Sequence, residues 1–403
     1  MEKLDNISKQ GFNLIELIKA LLNDTQPVLN EANFKYIYDI AKLHSLQNIL
    51  YYAILHYQKY GYKDVNIDVL KQLTKDHQFA ITRTAMQDAE LELIEKILNE
   101  KKIKYSVLKG SVLKYLYPSS DMRSMTDIDI YFDKTKAKEL KKILTGLGYA
   151  VESYKKGNHD AYLKEPFMNI EMHRELVSDI YEYSKYYADY FNKLVKAENS
   201  EYKYFFNDED FYLYHITHSA KHFSQGGTGI RTIIDHYIYL KNKQLNKDYL
   251  EEELKKLDLS LYESNLTKLS NFWFGNAEEY KKNKSEYDLM IKMSKFIFSS
   301  TTYGSIQHQI LSGFIGEKEL KNLKSGKIKR IFRLAFPTYK MMCAIYPVLK
   351  KWPILLPFMY IARMFNAIFH RRKNVVSKLN ATTNVTKEQI EEHKKTREEI
   401  GIK

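Results

Sequence analysis

A single cysteine, Cys343, is all the chain carries, so it can form neither an intramolecular disulfide framework nor a cysteine-built zinc site. A reducing, intracellular setting is the expectation. Proline and glycine are scarce, at 7 and 15 of 403 residues, which argues against a turn-rich all-β fold and against a low-complexity scaffold. Asp5, Glu16 and Asp24 interrupt the apolar residues near the amino terminus, so no secretory signal is expected. Acidic residues are missing from one whole stretch. From Leu320 to Lys387 there is no Asp or Glu against fifteen Lys and Arg, so this segment alone supplies +15 to a net charge of +13. The body that precedes it is electrically balanced, and the basicity speaks to where the protein sits rather than to what its centre binds.

What is present points to a folded and largely helical protein, with 44% hydrophobic and 28% charged residues. Residues 1–100 form a helical amino-terminal region, because Phe12, Leu14, Ile15, Leu17, Ile18, Leu21 and Leu22 recur at helical steps. A long helix is expected over about 76–99. From 101 to 178 the pattern becomes short apolar runs, with strands expected at 105–108, 128–132, 149–153, 162–164 and 167–173. Asp133 can cap a helix over 134–144 that stops near Gly146 and Gly148. Residues 179–319 read as helical and are dense in Tyr and Phe; a basic, apolar tail at 320–387 and a charged terminus at 388–403 follow. There is no internal repeat. The fold class expected is α+β, a small mixed β-sheet core flanked by amino- and carboxy-terminal helical regions.

The chemistry concentrates in the central block. Tyr105-Ser-Val-Leu-Lys-Gly-Ser111 places Gly110 and Ser111 where a strand gives way to a helix, and free backbone N–H groups at a helix start favour a phosphate. In Met125-Thr-Asp-Ile-Asp-Ile-Tyr131, the two-residue period of a strand sets Asp127 and Asp129 on one face and Ile128 and Ile130 on the other. Paired carboxylates on a rigid strand repel unless a cation lies between them, and oxygen ligands suit Mg²⁺ or Mn²⁺. Glu171, with Asn169 and His173 on its face and Ile170 and Met172 opposite, becomes a third acid if its strand neighbours the first. Three acids could then hold two ions roughly 3.5–4 Å apart, as in-line displacement at phosphorus requires. Asp-Ile-Asp alone is no more than a solvated strand face. Its weight comes from the Gly-Ser upstream and the Ile-Glu-Met-His downstream.

These residues resemble the DNA polymerase β-like nucleotidyltransferase superfamily. More closely, Leu108-Lys-Gly110, Tyr117-Pro118, Arg123, Asp127-Ile-Asp129, Gly148-Tyr149 and Ile170-Glu-Met-His173 resemble the bacterial family of uncharacterised nucleotidyltransferases of the NTP_transf_5 type. The likeness extends to His215, His218, His222, Gly227, Arg231 and Asp235. It implies metal-dependent transfer of a nucleotidyl group from an NTP, ATP among them, to an acceptor hydroxyl with release of pyrophosphate. Asp127, Asp129 and Glu171 would be the catalytic and metal-binding residues, and Lys109, Gly110, Ser111 and Arg123 would bind the nucleotide. The resemblance does not name the acceptor: a sugar, a lipid-linked glycan in cell-surface metabolism, a small molecule, a protein and RNA are all compatible. A non-catalytic nucleotide-binding accessory protein and an RNA-directed transferase are the alternatives.

Individual residues have competing readings. Arg123 is assigned to phosphate as a bidentate clamp, against an ion pair with Asp121. Lys109 either neutralises phosphate or is a solvated strand-end lysine. His173 either orients a carboxylate or faces the substrate. His215, His218 and His222 share a helix face; His218 and His222 are assigned to the cleft rather than to zinc, because no Glu stands in the slot that a zinc protease needs. Gln225-Gly-Gly-Thr-Gly229 is a loop rather than a phosphate cradle, since no strand precedes it, and Arg231 with Asp235 is a candidate helical ion pair. The tail over 327–373 either lies on an anionic membrane surface or packs back on the body, with nucleic acid ranked behind both. Its apolar stretch at 352–369 is too short and too interrupted to span a bilayer. The location expected is cytoplasmic, with peripheral attachment to the inner membrane face.

Overall fold

A computed structural model of the chain describes residues 2–301, 306–314, 323–369 and 372–402. Four helices open it. α1 (Glu2–Asn23) buries the stripe of Leu14, Leu17 and Ile18 that its periodicity foretells. α2 (Phe34–Leu43) starts where Asn33 accepts a hydrogen bond from the Tyr36 N–H, and α3 (Gln47–Lys59) follows directly. α4 (Ile67–Glu100) begins at a second asparagine cap, Asn66, and runs for 34 residues, roughly 50 Å at 1.5 Å per residue.

The sheet comes next. β1 (Tyr105–Val107) leads into a single turn, α5 (Gly110–Leu113), and then β2 (Ile128–Phe132). α6 (Ala137–Gly146) is preceded by the turn that Asp133 caps, and the chain leaves it through Gly148 at φ +86°, a conformation glycine adopts without strain. β3 (Ala150–Ser153), β4 (His159–Lys164) and β5 (Met168–His173) form a meander, and β6 (Val195–Lys196) and β7 (Lys203–Phe205) complete seven strands in the order β3-β4-β5-β2-β1-β7-β6. β2 pairs with β5, and β1 with β7, in parallel; the other pairings are antiparallel. The sheet is mixed and the fold is α+β, as expected. β6 and β7 correct the helical reading of the residues after Ser178: strands of two and three residues are too short to show a period of two.

One face of the sheet is apolar. Ile128, Ile130, Phe132, Ile170 and Met172 pack with Leu91, Ile94 and Leu98 of α4 and with Leu140 and Leu144 of α6. The other face carries Asp129, Glu171 and His173. Opposite it stand α7 (Asp208–Gly226) and α8 (Ile230–Asn242), joined by the loop at 227–229. α9 (Lys247–Lys256), α10 (Ser260–Phe274) and α11 (Lys284–Phe298) continue this wall and share one apolar core with α1–α3.

The carboxy-terminal arm comprises α12 (Ile306–Ser312), α13 (Leu323–Ala335), α14 (Tyr339–Ile345), α15 (Leu356–Phe369), α16 (Arg372–Asn384) and α17 (Lys387–Ile400). Thr386 and Gln389 close a capping box on α17, and Ile400 and Ile402 return to the main core. Lys321 and Arg371 of the basic segment lie outside the described residues.

Candidate active site

The approach to the acidic strand is tied down residue by residue. Arg123 Nε and Nη2 donate to Asp235 Oδ1 and Oδ2, 2.8 Å each, and Tyr117 donates to the same Oδ1 at 2.6 Å. The Ser124 carbonyl accepts from Arg231 at 2.9 Å, that of Met125 from Gln87 at 3.4 Å, and that of Thr126 from Arg83 at 3.1 Å. Helices α4 and α8 thus hold consecutive residues of the lead-in to Asp127. Gly110 is required here for a reason that precedes any ligand: a Cβ on it would lie 2.3 Å from Arg123 Nη1 and 2.7 Å from Met125 Sδ. Lys109, at φ +48°, turns the chain into α5 in a conformation that L side chains rarely adopt.

The parallel register sets Asp129 directly beside Glu171. Asp129 Oδ1 accepts from Lys109 Nζ at 2.7 Å and meets His173 Nε2 at 2.7 Å. The other ring nitrogen, Nδ1, accepts from the Asn158 amide at 3.3 Å, and that amide also donates to the Glu175 carbonyl at 3.1 Å. In this arrangement Nε2 carries the proton and donates a hydrogen bond to Asp129. Burial opposes the charge on Asp129, but Lys109 and His173 outweigh it and hold its carboxyl below the usual carboxylate range. Burial also works against Glu171, and His173 at 3.6 Å prevails, so this carboxyl too lies below its ordinary value. Asp127 behaves differently. Burial first, and then the charges of Asp129 and Glu171, push it up to about 6.

The far wall of this cavity of about 280 Å³ is basic and aromatic. His218 and His222 lie one turn apart on α7 with their Nε2 atoms 3.0 Å from each other. Burial holds His218 well below the ordinary histidine value and takes His222 down to about 3. Lys221 stands on the same face and is lowered to about 8 by burial and then by Lys109. Arg231, Thr228 and Thr232 at the α7–α8 junction complete the rim.

The cavity therefore brings together Asp127, Asp129, Glu171, Lys109, Gly110, His173, His218 and His222 from the residues singled out in the sequence. Arg123 also lines the cavity, with its guanidinium donating to Asp235, while Asp121, the ion-pair partner weighed for it, is held by Asn48 and Tyr52. Ser111 is buried away from the cavity lining, with its hydroxyl 3.8 Å from Met125 Sδ. The pairing of Asp235 with Arg123 also replaces the helical ion pair expected with Arg231. Lys221 was missed; the spacing His218-x-x-Lys221-His222 put it on the histidine face all along. His159, Glu171 and His173 offer ligand atoms within 4.8 Å of one another, yet His173 is committed to Asp129 and Asn158. Asp127, Asp129 and Glu171 line the same cavity, and Asp127 is raised first by burial and then by the charges of the other two, a repulsion of the kind that a hard cation relieves.

The family profile described as uncharacterised nucleotidyltransferase matches residues 30–275, which take in α2 through α10 and the whole cavity. No curated protein and no solved structure matches the chain. The match covers more than half of the sequence, and the protein belongs to this nucleotidyltransferase family.

Proposed function

We propose that the protein is a metal-dependent nucleotidyltransferase that moves an NMP group from an NTP to an acceptor hydroxyl. The observation that carries this reading is the β2–β5 register, which aligns Asp129 with Glu171 in the cavity that Asp127 also lines. Asp127, Asp129 and Glu171 would hold Mg²⁺ or Mn²⁺, which when bound supplies charge neutralisation at the phosphates. Lys109, to which the sequence already gives a nucleotide-binding part, faces the same cavity with Lys221 and Arg231, and the three offer the triphosphate cationic partners. The acceptor oxygen attacks the α-phosphorus, the bond to the β-phosphate bridging oxygen breaks, and pyrophosphate leaves. The acceptor proton passes to a carboxylate of the trio. His173 keeps Asp129 oriented, and Asn158 keeps His173 in the tautomer that does so.

The test is to incubate the full chain with each labelled NTP, Mg²⁺ or Mn²⁺ and cell extract. Label entering one fraction, with pyrophosphate released and both lost on chelation, supports the assignment. Nucleotide binding that survives both Asp127→Ala and chelation, with no label transferred, overturns it.

A further inference from the structure

Helix α15 is turned inside out relative to a helix that lies in water. Phe358, Ile361 and Phe365 follow one another at three- and four-residue steps and form a single outward stripe, with Phe358 63% and Phe365 56% exposed. Met364 flanks that stripe. The inward side carries the polar work instead: Tyr360 donates to the Pro337 carbonyl at 2.6 Å and Arg363 to the Leu334 carbonyl at 3.4 Å. Met359 joins Met342, Cys343 and Leu349 in a small core of the arm's own. The turn before α15 adds Trp352 and Ile354, 62% and 79% exposed, beside the exposed Lys350 and Lys351. On α13, Ile328 and Phe332 are four residues apart and equally uncovered, and Phe332 reaches Tyr360 of α15 through Phe336. An apolar surface of this extent on a monomer marks an interaction site.

We propose that this face of α13, the 352–354 turn and α15 docks on an anionic lipid bilayer, lying in the interface without crossing it. The charge pattern selects that occupant. The segment from 320 to 387 holds fifteen cations and no acid, so its field attracts an acidic leaflet while the apolar stripe enters the acyl boundary. A second copy of the chain fits poorly, because apposing two such faces would bring two acid-free, +15 segments together. A nucleic acid leaves the exposed Phe, Ile and Met residues in water. Length excludes crossing: α15 has 14 residues, about 21 Å against a hydrocarbon core of about 30 Å, and among the described residues no helix is long and apolar enough to span. Docking is independent of the transfer chemistry and stands or falls without it.

Vesicle sedimentation with the full chain tests this, using phosphatidylcholine alone and phosphatidylcholine with 30% phosphatidylserine. The expected result is at least ten-fold tighter binding to the serine-containing vesicles, weakened by 0.5 M salt. Trp352 provides a second signal, because Trp273 is buried: emission should shift to the blue only with acidic vesicles. Phe358→Glu with Ile361→Glu should abolish the shift with no change in melting temperature, and Lys350→Glu with Lys351→Glu should weaken binding in a fold set independently of that stripe. Equal binding to both vesicles, unaltered binding by the stripe variant, or a dimer in sedimentation velocity that this variant dissolves would each overturn the proposal.

Discussion

In the cavity, Arg123 meets Asp235, Lys109 meets Asp129, and the histidines of α7 are kept neutral by burial; in the carboxy-terminal arm, residues 320–387 hold fifteen cations and no acid, and Phe332, Phe358 and Phe365 face outward. The two regions treat charge and apolar surface in opposite ways. Inside the cavity Arg123 and Lys109 are placed against carboxylates because the surroundings are dry and an unpaired ion there is costly. On the arm exposed charges such as Lys350 and Lys351 cost little individually, and the basic segment acts as a long-range field. One arrangement suits a site that orients a small, highly charged substrate. The other suits attraction to an extended surface.

The sharpest way to separate the regions is to remove one cavity acid. Asp127→Ala should lower pyrophosphate release by ~10³-fold or more while vesicle binding is unchanged; equal loss of both would mean that the two regions are one functional unit. Next in size is the buried pair. Asp235→Ala strands the Arg123 guanidinium and should cost about 3–5 kcal/mol in urea unfolding, whereas Asp179→Ala, which removes the exposed partner of Lys350 at 3.5 Å, should cost less than about 1 kcal/mol.

A smaller, graded effect is expected from acid. Burial holds His44 and His215 at about 4 and His236 well below its ordinary 6.5. Their folded values lie below their unfolded ones, so the unfolded chain takes up protons that the folded chain refuses. Their contribution to stability is complete above about pH 6.5 and is lost as the pH falls towards 4. Melting temperatures measured between pH 7.5 and 5 should therefore decline from about 6.5 downward, while vesicle attachment, which rests on Lys and Arg, holds steady across that window. The smallest effect belongs to the outward rings: Phe358→Ser should change stability by less than about 0.5 kcal/mol, against about 3–5 kcal/mol for Phe298→Ala in the core. A large loss at Phe358 in water would mean that the ring is covered by protein.

The strand alternation at 128–132 and 168–173 made both acidic faces legible before any coordinates, because burial on one side and charge on the other leave a period of two in the residues themselves. The long helix over 67–100 was legible in part, for the same reason with a longer period. Pairings across great sequence distance left no such trace. Nothing near Arg123 announces Asp235, more than a hundred residues on, and its guanidinium looked free for phosphate. The same distance hid the backbone carbonyls at 124–126, whose donors come from α4 and α8. Lys221 was visible in its spacing but was overshadowed by its histidine neighbours.

Asp129 and Glu171 are forty-two positions apart in the chain, and only the insertion of β5 beside β2 makes them neighbours. Between them lie α6, β3 and β4, so closing that contact is a non-local event whose entropy must be met before the pairing rewards it. While the chain is unfolded the carboxylates scarcely sense each other. Their repulsion is incurred when β5 pairs with β2, and Lys109 and His173 then offset it. A nascent chain released before β5 emerges would carry the Asp pair without its third acid, and so could not assemble the site prematurely.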